Sequence, residues 1–339
     1  MKSYRLNDLV EVRVNAPSSY IEFFDNEYAR ISRPPSSSRV PSITLTVVDR
    51  IPPGGVREMN FKRIFTFRYA VREMETAHPE IIFERHWLDR LYLTPLGAFI
   101  QGQLLEPVMY LKLLECGILF MHAAGVSRDG RGYVFPAHGG TGKTTLALSL
   151  TQNGFQLLGD DLLMIEASSG RVYPYARPLH LFTYNLTTMK VPFALESAIR
   201  FKDLVRMALN FVTGERFLIA TRAHVEDLMS VQFGGRCDLA RMIFLRRDGA
   251  VGKSQLRTVI ARREAALAII DSADLNDSLY ANIADEDEIR QLEIDVVMKL
   301  LEQISQIEFI KPREMDETSR IRFSRTLTDI DASSKDVPV

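Results

Sequence analysis

Cysteine is nearly absent. Cys116 and Cys237 are the only two in 339 residues, they lie far apart, and neither sits at metal-ligand spacing from another cysteine or a histidine. A disulfide framework and a thiolate metal site are both excluded, and the two thiols are expected to be small buried hydrophobes. No apolar run is long enough to span a bilayer: the longest, around Cys116 to Val126, is interrupted. The opening Met-Lys-Ser-Tyr-Arg-Leu-Asn-Asp has no apolar signal core, so a cytoplasmic chain with no membrane contact is expected. Nor does either sign of charge prevail, since 42 basic residues stand against 43 acidic ones. Without a basic field, nucleic acid is not an expected partner. His78, His86, His180 and His224 form no ligand spacing, and there is no internal repeat.

The composition itself, 46% apolar and 25% charged, is that of a globular chain able to bury one large or two modest cores. Residues 1–105 alternate as strands do, in Ile43-Thr-Leu-Thr-Val-Val48 and Ile64-Phe-Thr-Phe-Arg-Tyr69, with turns at 33–39 and 52–55. They are expected to form a β-rich N-terminal domain. Residues 106–325 are expected to form an α/β catalytic domain. It is entered by a helix from Leu96 to Leu114 and a strand over 117–126; residues 326–339 are expected to be a disordered tail.

The most informative stretch is Ala137-His138-Gly139-Gly140-Thr141-Gly142-Lys143-Thr144. It fits G-x-x-x-x-G-K-[ST] with alanine in place of the first glycine, and its context supports the match. Gly132-Tyr-Val-Phe135 reads as a buried parallel strand, and the leucines at 146, 148 and 150, ending near Asn153-Gly154, read as a helix with a stop signal. At a strand-to-helix junction the free N–H groups and the helix dipole favour an anion, and glycines let the backbone wrap it. Residues 138–145 are therefore expected to cradle phosphates. Lys143 would reach the terminal oxygens, the Thr144 hydroxyl would ligate magnesium, and His138 would meet a phosphate or face solvent. Any left-handed backbone is expected at Gly139, Gly140 or Gly142, since it would be costly at Ala137.

About three helical turns, roughly 16 Å, would return the chain to a neighbouring parallel strand at Phe155-Gln-Leu-Leu158. Asp160 and Asp161 then fall at that strand's carboxyl end, where open α/β sheets bind ligands. One carboxylate is expected to take a metal, with Thr144 and Asp160 the candidates, and the other a proton. The bland alternative is a solvated or capping Asp pair.

With both motifs in view, His122 to Asp161 resembles the nucleotide site of the HPr kinase/phosphorylase family, whose fold is shared with phosphoenolpyruvate carboxykinases. That family carries a histidine on the strand before the phosphate-loop strand, then the loop, a helix, a glycine, an apolar strand and an Asp-Asp pair. The matching stretches here are Leu119-Phe-Met-His-Ala-Ala-Gly-Val126, the loop, Asn153-Gly154-Phe-Gln-Leu-Leu158 and Gly159-Asp160-Asp161. The resemblance implies a phosphate-binding core of that type. It also implies transfer of the γ-phosphoryl group of ATP to a serine-type hydroxyl of a protein, peptide or small molecule, with magnesium as cofactor. Lys143, Asp160 and Asp161 would be catalytic, and His122 would lie near the acceptor. Thr145 stands where HPr kinases have an acidic residue, and their later Gly-rich stretch has no copy, so HPr is not the expected acceptor. Pyrophosphate as donor, and assembly into homo-oligomers such as the HPr kinase hexamers, stay open. The competing reading is a nucleotide-binding or ATPase switch that engages a partner without phosphorylating it.

Beyond the pair, Leu162–Ile165 and Val172-Tyr173 read as a hairpin around Ser168-Ser-Gly170, residues 195–212 and 220–230 as helices, and Leu239–Leu245 as a strand. Asp285 to Ile307 reads as an amphipathic helix. Arg177, Arg246 and Arg247 are candidate phosphate contacts or solvated arginines.

Overall fold

A computed structural model describes residues 1–34, 39–61, 65–90, 93–137, 141–187, 191–214, 220–247, 255–258, 262–272, 286–311, 323 and 327. The fold is mixed α/β with two large mixed sheets. The chain divides into two compact units interleaved in sequence. One comprises Met1–Leu113, Arg177–Met229 and Leu275–Glu286, the other Leu114–Ala176, Ser230–Asp274 and Asp287–Val339.

The first unit is built on a seven-stranded sheet. Its order is Ser32–Arg33, Lys2–Leu6, Val10–Asn15, Ser42–Val48, Glu80–Glu84, Phe65–Arg72 and Arg57–Phe61. Alternation sets which face is buried: Val10, Val12 and Val14 are covered, and the residues between them are less so. The helix Ser18–Tyr28 buries Tyr20, Phe23, Phe24 and Tyr28. A helical stretch follows the sheet, Leu93–Ile100 and Glu106–Glu115 joined by a π-turn over Gln101–Leu105. Residues 177–229 return to this unit through the strand pair Leu179–Leu181 and Thr221–Ala223, with the helix Phe193–Thr213 between them.

Two buried ion pairs hold that return, Arg177 with Glu106 and Arg222 with Glu27. Gln101, oriented to donate to Glu27 at 3.1 Å and to accept from Arg177 at 3.2 Å, joins them. Arg177 is therefore a buried, ion-paired arginine and not a solvated surface one. The segment 220–230, expected as helix, is instead a short strand followed by the single turn Val225–Asp227. The strand partner at 179–181 outweighs the local helical pattern.

The second unit's sheet runs Gln156–Gly159, Ala123–Arg128, Arg131–Pro136, Cys237–Arg247, Arg171–Tyr173, Leu163–Glu166 and Ile118–Met121. Ser305–Lys311 pairs along Cys237–Arg247, and Gln255–Thr258 pairs with Ser305–Lys311. Arg131–Pro136 pairs parallel with Cys237–Arg247 and is buried almost throughout, as its apolar run requires. The hairpin at 163–173 forms as expected, with Gly170 at φ 66°.

Three expectations are corrected in this unit. The strand expected over 117–126 is two, Ile118–Met121 and Ala123–Arg128, separated by His122 alone and lying near opposite ends of the pairing order. The sheet therefore curls until its two sides meet, and Leu163 packs so close to Gly125 that a Cβ there would sit 2.5 Å from its Cδ1. Gln156–Gly159 is not the direct neighbour of Arg131–Pro136, because Ala123–Arg128 intervenes, antiparallel to both. The C-terminal helix spans Glu286–Leu301 and stops short of Ile307, which belongs to a strand instead. β-branched and aromatic residues at 304–310 suit the sheet edge that Cys237–Arg247 offers.

Cys237 is buried, and burial first, then the Asp238 charge, pushes its thiol up to about 12; Cys116, expected to be buried, is exposed. No described helix is long and apolar enough to cross a membrane. The expected tail, 326–339, lies outside the described residues except for Leu327, which is buried. Asp285, where the last helix was expected to begin, also lies outside them.

Candidate functional site

The helix Lys143–Thr151 begins at Gly142, whose left-handed backbone, φ 92°, turns the chain into the first helical turn. Ala137 does not take a positive φ, so its departure from glycine carries no backbone strain. The first intrahelical bond runs from Leu146 N–H to the Gly142 carbonyl at 3.1 Å, which leaves the amides of 143–145 outside the helix ladder. His138, Gly139 and Gly140 lie outside the described residues. Thr141 and Thr145 are partly exposed.

Lys143 is 7% exposed, and its ammonium donates to the Ala137 carbonyl. Burial pulls its pKa below the ordinary lysine value, while the charges of Asp161 and Asp160 act to restore it. Its Nζ also lies 3.2 Å from Nε2 of His122, the residue on which the two sides of the sheet converge. The same Nε2 is 3.1 Å from Oδ1 of Asp161. When that nitrogen is bare it accepts from the lysine, and when it carries a proton it donates to the carboxylate.

Gly159 ends its strand where a side chain has no room: an added Cβ would stand 2.9 Å from the Leu162 carbonyl and 3.1 Å from that of Tyr175. The close turn delivers two adjacent carboxylates into different environments. Asp160 is turned inward and accepts from the Thr144 hydroxyl on Oδ2 at 3.0 Å. Its Oδ1 is buried without a hydrogen-bond partner among the described residues. Burial first, then the charge of Asp161, raises its pKa to about 6 against the opposing pull of Thr144, Lys143 and His122. The Asp161 side chain, in contrast, is 49% exposed. One acid is half-buried with its inner oxygen short of a partner, and the other is reachable from outside.

A buried carboxylate oxygen with no donor is costly unless a proton or a cation meets it. With the Thr144 oxygen beside it, Asp160 offers the hard oxygen donors that magnesium prefers. Among the described residues no group of three or more His, Cys, Asp or Glu could hold a metal.

The fold thus brings together His122, Lys143, Thr144, Asp160 and Asp161. Two features had no signal in the pattern: the Ala137 carbonyl as the lysine's acceptor, and the placement of His122 where strands from opposite sides of the sheet meet. In comparisons with known proteins, no family model and no curated protein matches the chain.

Proposed function

We propose that the chain is a magnesium-dependent phosphotransferase that moves the γ-phosphoryl group of ATP to a serine-type hydroxyl. One observation carries the reading: a half-buried aspartate whose inner oxygen is orphaned beside a threonine at a helix start, next to an exposed carboxylate that shares a histidine with the helix's first lysine. A buried oxygen without a donor leaves room for a cation or a proton to meet it. The resemblance of His122 to Asp161 to the HPr kinase/phosphorylase site, with its phosphate-binding core, supports the same reading.

In this account Lys143 and the amides that open its helix bind phosphate oxygens, and the lysine exchanges the Ala137 carbonyl for the anion. Thr144 and Asp160 would hold magnesium, which when bound would neutralise charge on the phosphate oxygens. Asp161 accepts the acceptor's hydroxyl proton as the new O–P bond forms and the bond to the departing nucleoside diphosphate breaks. His122 orients Asp161 and steadies the proton it receives.

Calorimetric titration with magnesium ATP tests the binding half. Binding that weakens at least about 10-fold in Lys143→Ala supports the reading, on the scale of a lost charge-assisted contact. Absence of binding in the unaltered protein contradicts it.

A further inference from the structure

The helix Phe193–Thr213 spans 21 residues, yet Ile199 is its one buried residue. Its outward face is apolar: Phe193 is 84% exposed, Phe201 65%, Phe211 91% and Val212 80%, with Leu204 and Met207 also more than half exposed. At an aromatic area of about 150–250 Å² the three phenylalanines alone present on the order of 400 Å², and the whole face about 700 Å². A patch of that size exceeds what a monomer ordinarily shows and approaches the roughly 800 Å² that each side gives a standard interface.

We propose that this face is covered by the same face of a second copy of the chain, the two helices antiparallel about a two-fold axis at Leu204. The spacing of the face complements itself. With Leu204 on the axis, Phe211 lies over Ser197 of the second copy and Phe201 over Met207, one ring on a small residue and the other on a flexible apolar one. Ala208 falls on the aliphatic stem of Arg200. Antiparallel helices also bring opposite dipole ends together.

Two other occupants fit less well. A lipid surface calls for a basic flank, but Glu196 pairs with Arg200 and Asp203 with Arg206 along this helix. The chain's own residues 328–339, Thr-Asp-Ile-Asp-Ala-Ser-Ser-Lys-Asp-Val-Pro-Val, are too polar to cover so much apolar surface. The inference is independent of the phosphate chemistry.

Sedimentation velocity of the full chain at tens of micromolar tests it, together with Leu204→Asp, a change at an exposed position that should leave circular dichroism unaltered. The expected result is a species of twice 38.5 kDa for the unaltered protein. In Leu204→Asp the dimer should fall apart, with affinity weakened by about 100-fold or more. In a Cys116→Ser background, Leu204→Cys should form an intermolecular disulfide under mild oxidation, whereas Phe193→Cys, near the helix end, should not. A monomeric unaltered protein, a dimer indifferent to Leu204→Asp, or capture by phosphatidylcholine–phosphatidylglycerol vesicles in place of self-association would each overturn the proposal.

Discussion

At the residue scale, the account turns on two adjacent acids made unlike by their surroundings. Asp160 is raised from 3.8 to about 6 mainly by burial. A raised carboxyl favours the folded state when protonated, so its contribution is fully present below about pH 4 and is lost as pH rises through 6. Over that interval of about two units the loss is about 3 kcal/mol at 1.36 kcal/mol per unit. In chelator-containing buffer, Asp160→Asn should therefore be more stable than the unaltered protein at pH 7.5, with the difference fading by pH 4. Urea midpoints at the two pH values measure it, and equal midpoints at pH 7.5 would show that the carboxylate bears no burial cost. Asp161→Asn should leave nucleotide affinity within about threefold and lower turnover by about 100-fold or more, the scale of a lost general base. Single-turnover transfer assays separate the two effects. The residues themselves were legible in the sequence because Gly-Lys-Thr and Gly-Asp-Asp are local patterns. The inward turn of Asp160 was not, because it depends on the space around Gly159.

At the element scale, the strand Arg131–Pro136, the helix Lys143–Thr151 and the strand Gln156–Gly159 follow from a change of period and a Gly stop, signals that lie within a few residues. Their arrangement was harder to read. Ala123–Arg128 slips between the two strands because the apolar run 117–126 breaks at His122, and one half-buried histidine in such a run does not by itself mark where a strand ends. The missing space at Gly159 gives a prediction at this level. Gly159→Ala forces a Cβ against two backbone carbonyls that cannot turn aside, and should cost about 1–3 kcal/mol as overpacking does. It should also lower transfer more than nucleotide binding, because it moves Asp160 and Asp161 together. A thermal midpoint unchanged from the unaltered protein would refute the tight turn.

At the scale of the whole molecule, the two units interleave, and residues 177–229 join the first through pairs that are distant in sequence. Arg177 meets Glu106 and Arg222 meets Glu27, partners that no local window connects. A β-rich beginning and an α/β remainder were legible from alternation and helical period, but this return was not. Removing one charge of a buried pair strands the other, so Glu27→Gln should destabilise the protein by about 3–5 kcal/mol in urea unfolding. A loss of less than about 1 kcal/mol would place the pair among the weak surface bridges. The central claim concerns the other unit, and transfer of labelled γ-phosphate from magnesium ATP tests it most directly, with free serine and host-lysate proteins and peptides as acceptors. The account predicts label in an acceptor with the unaltered protein and none with Lys143→Ala or Asp161→Asn; label released only as inorganic phosphate, or transfer undiminished in both variants, would contradict it.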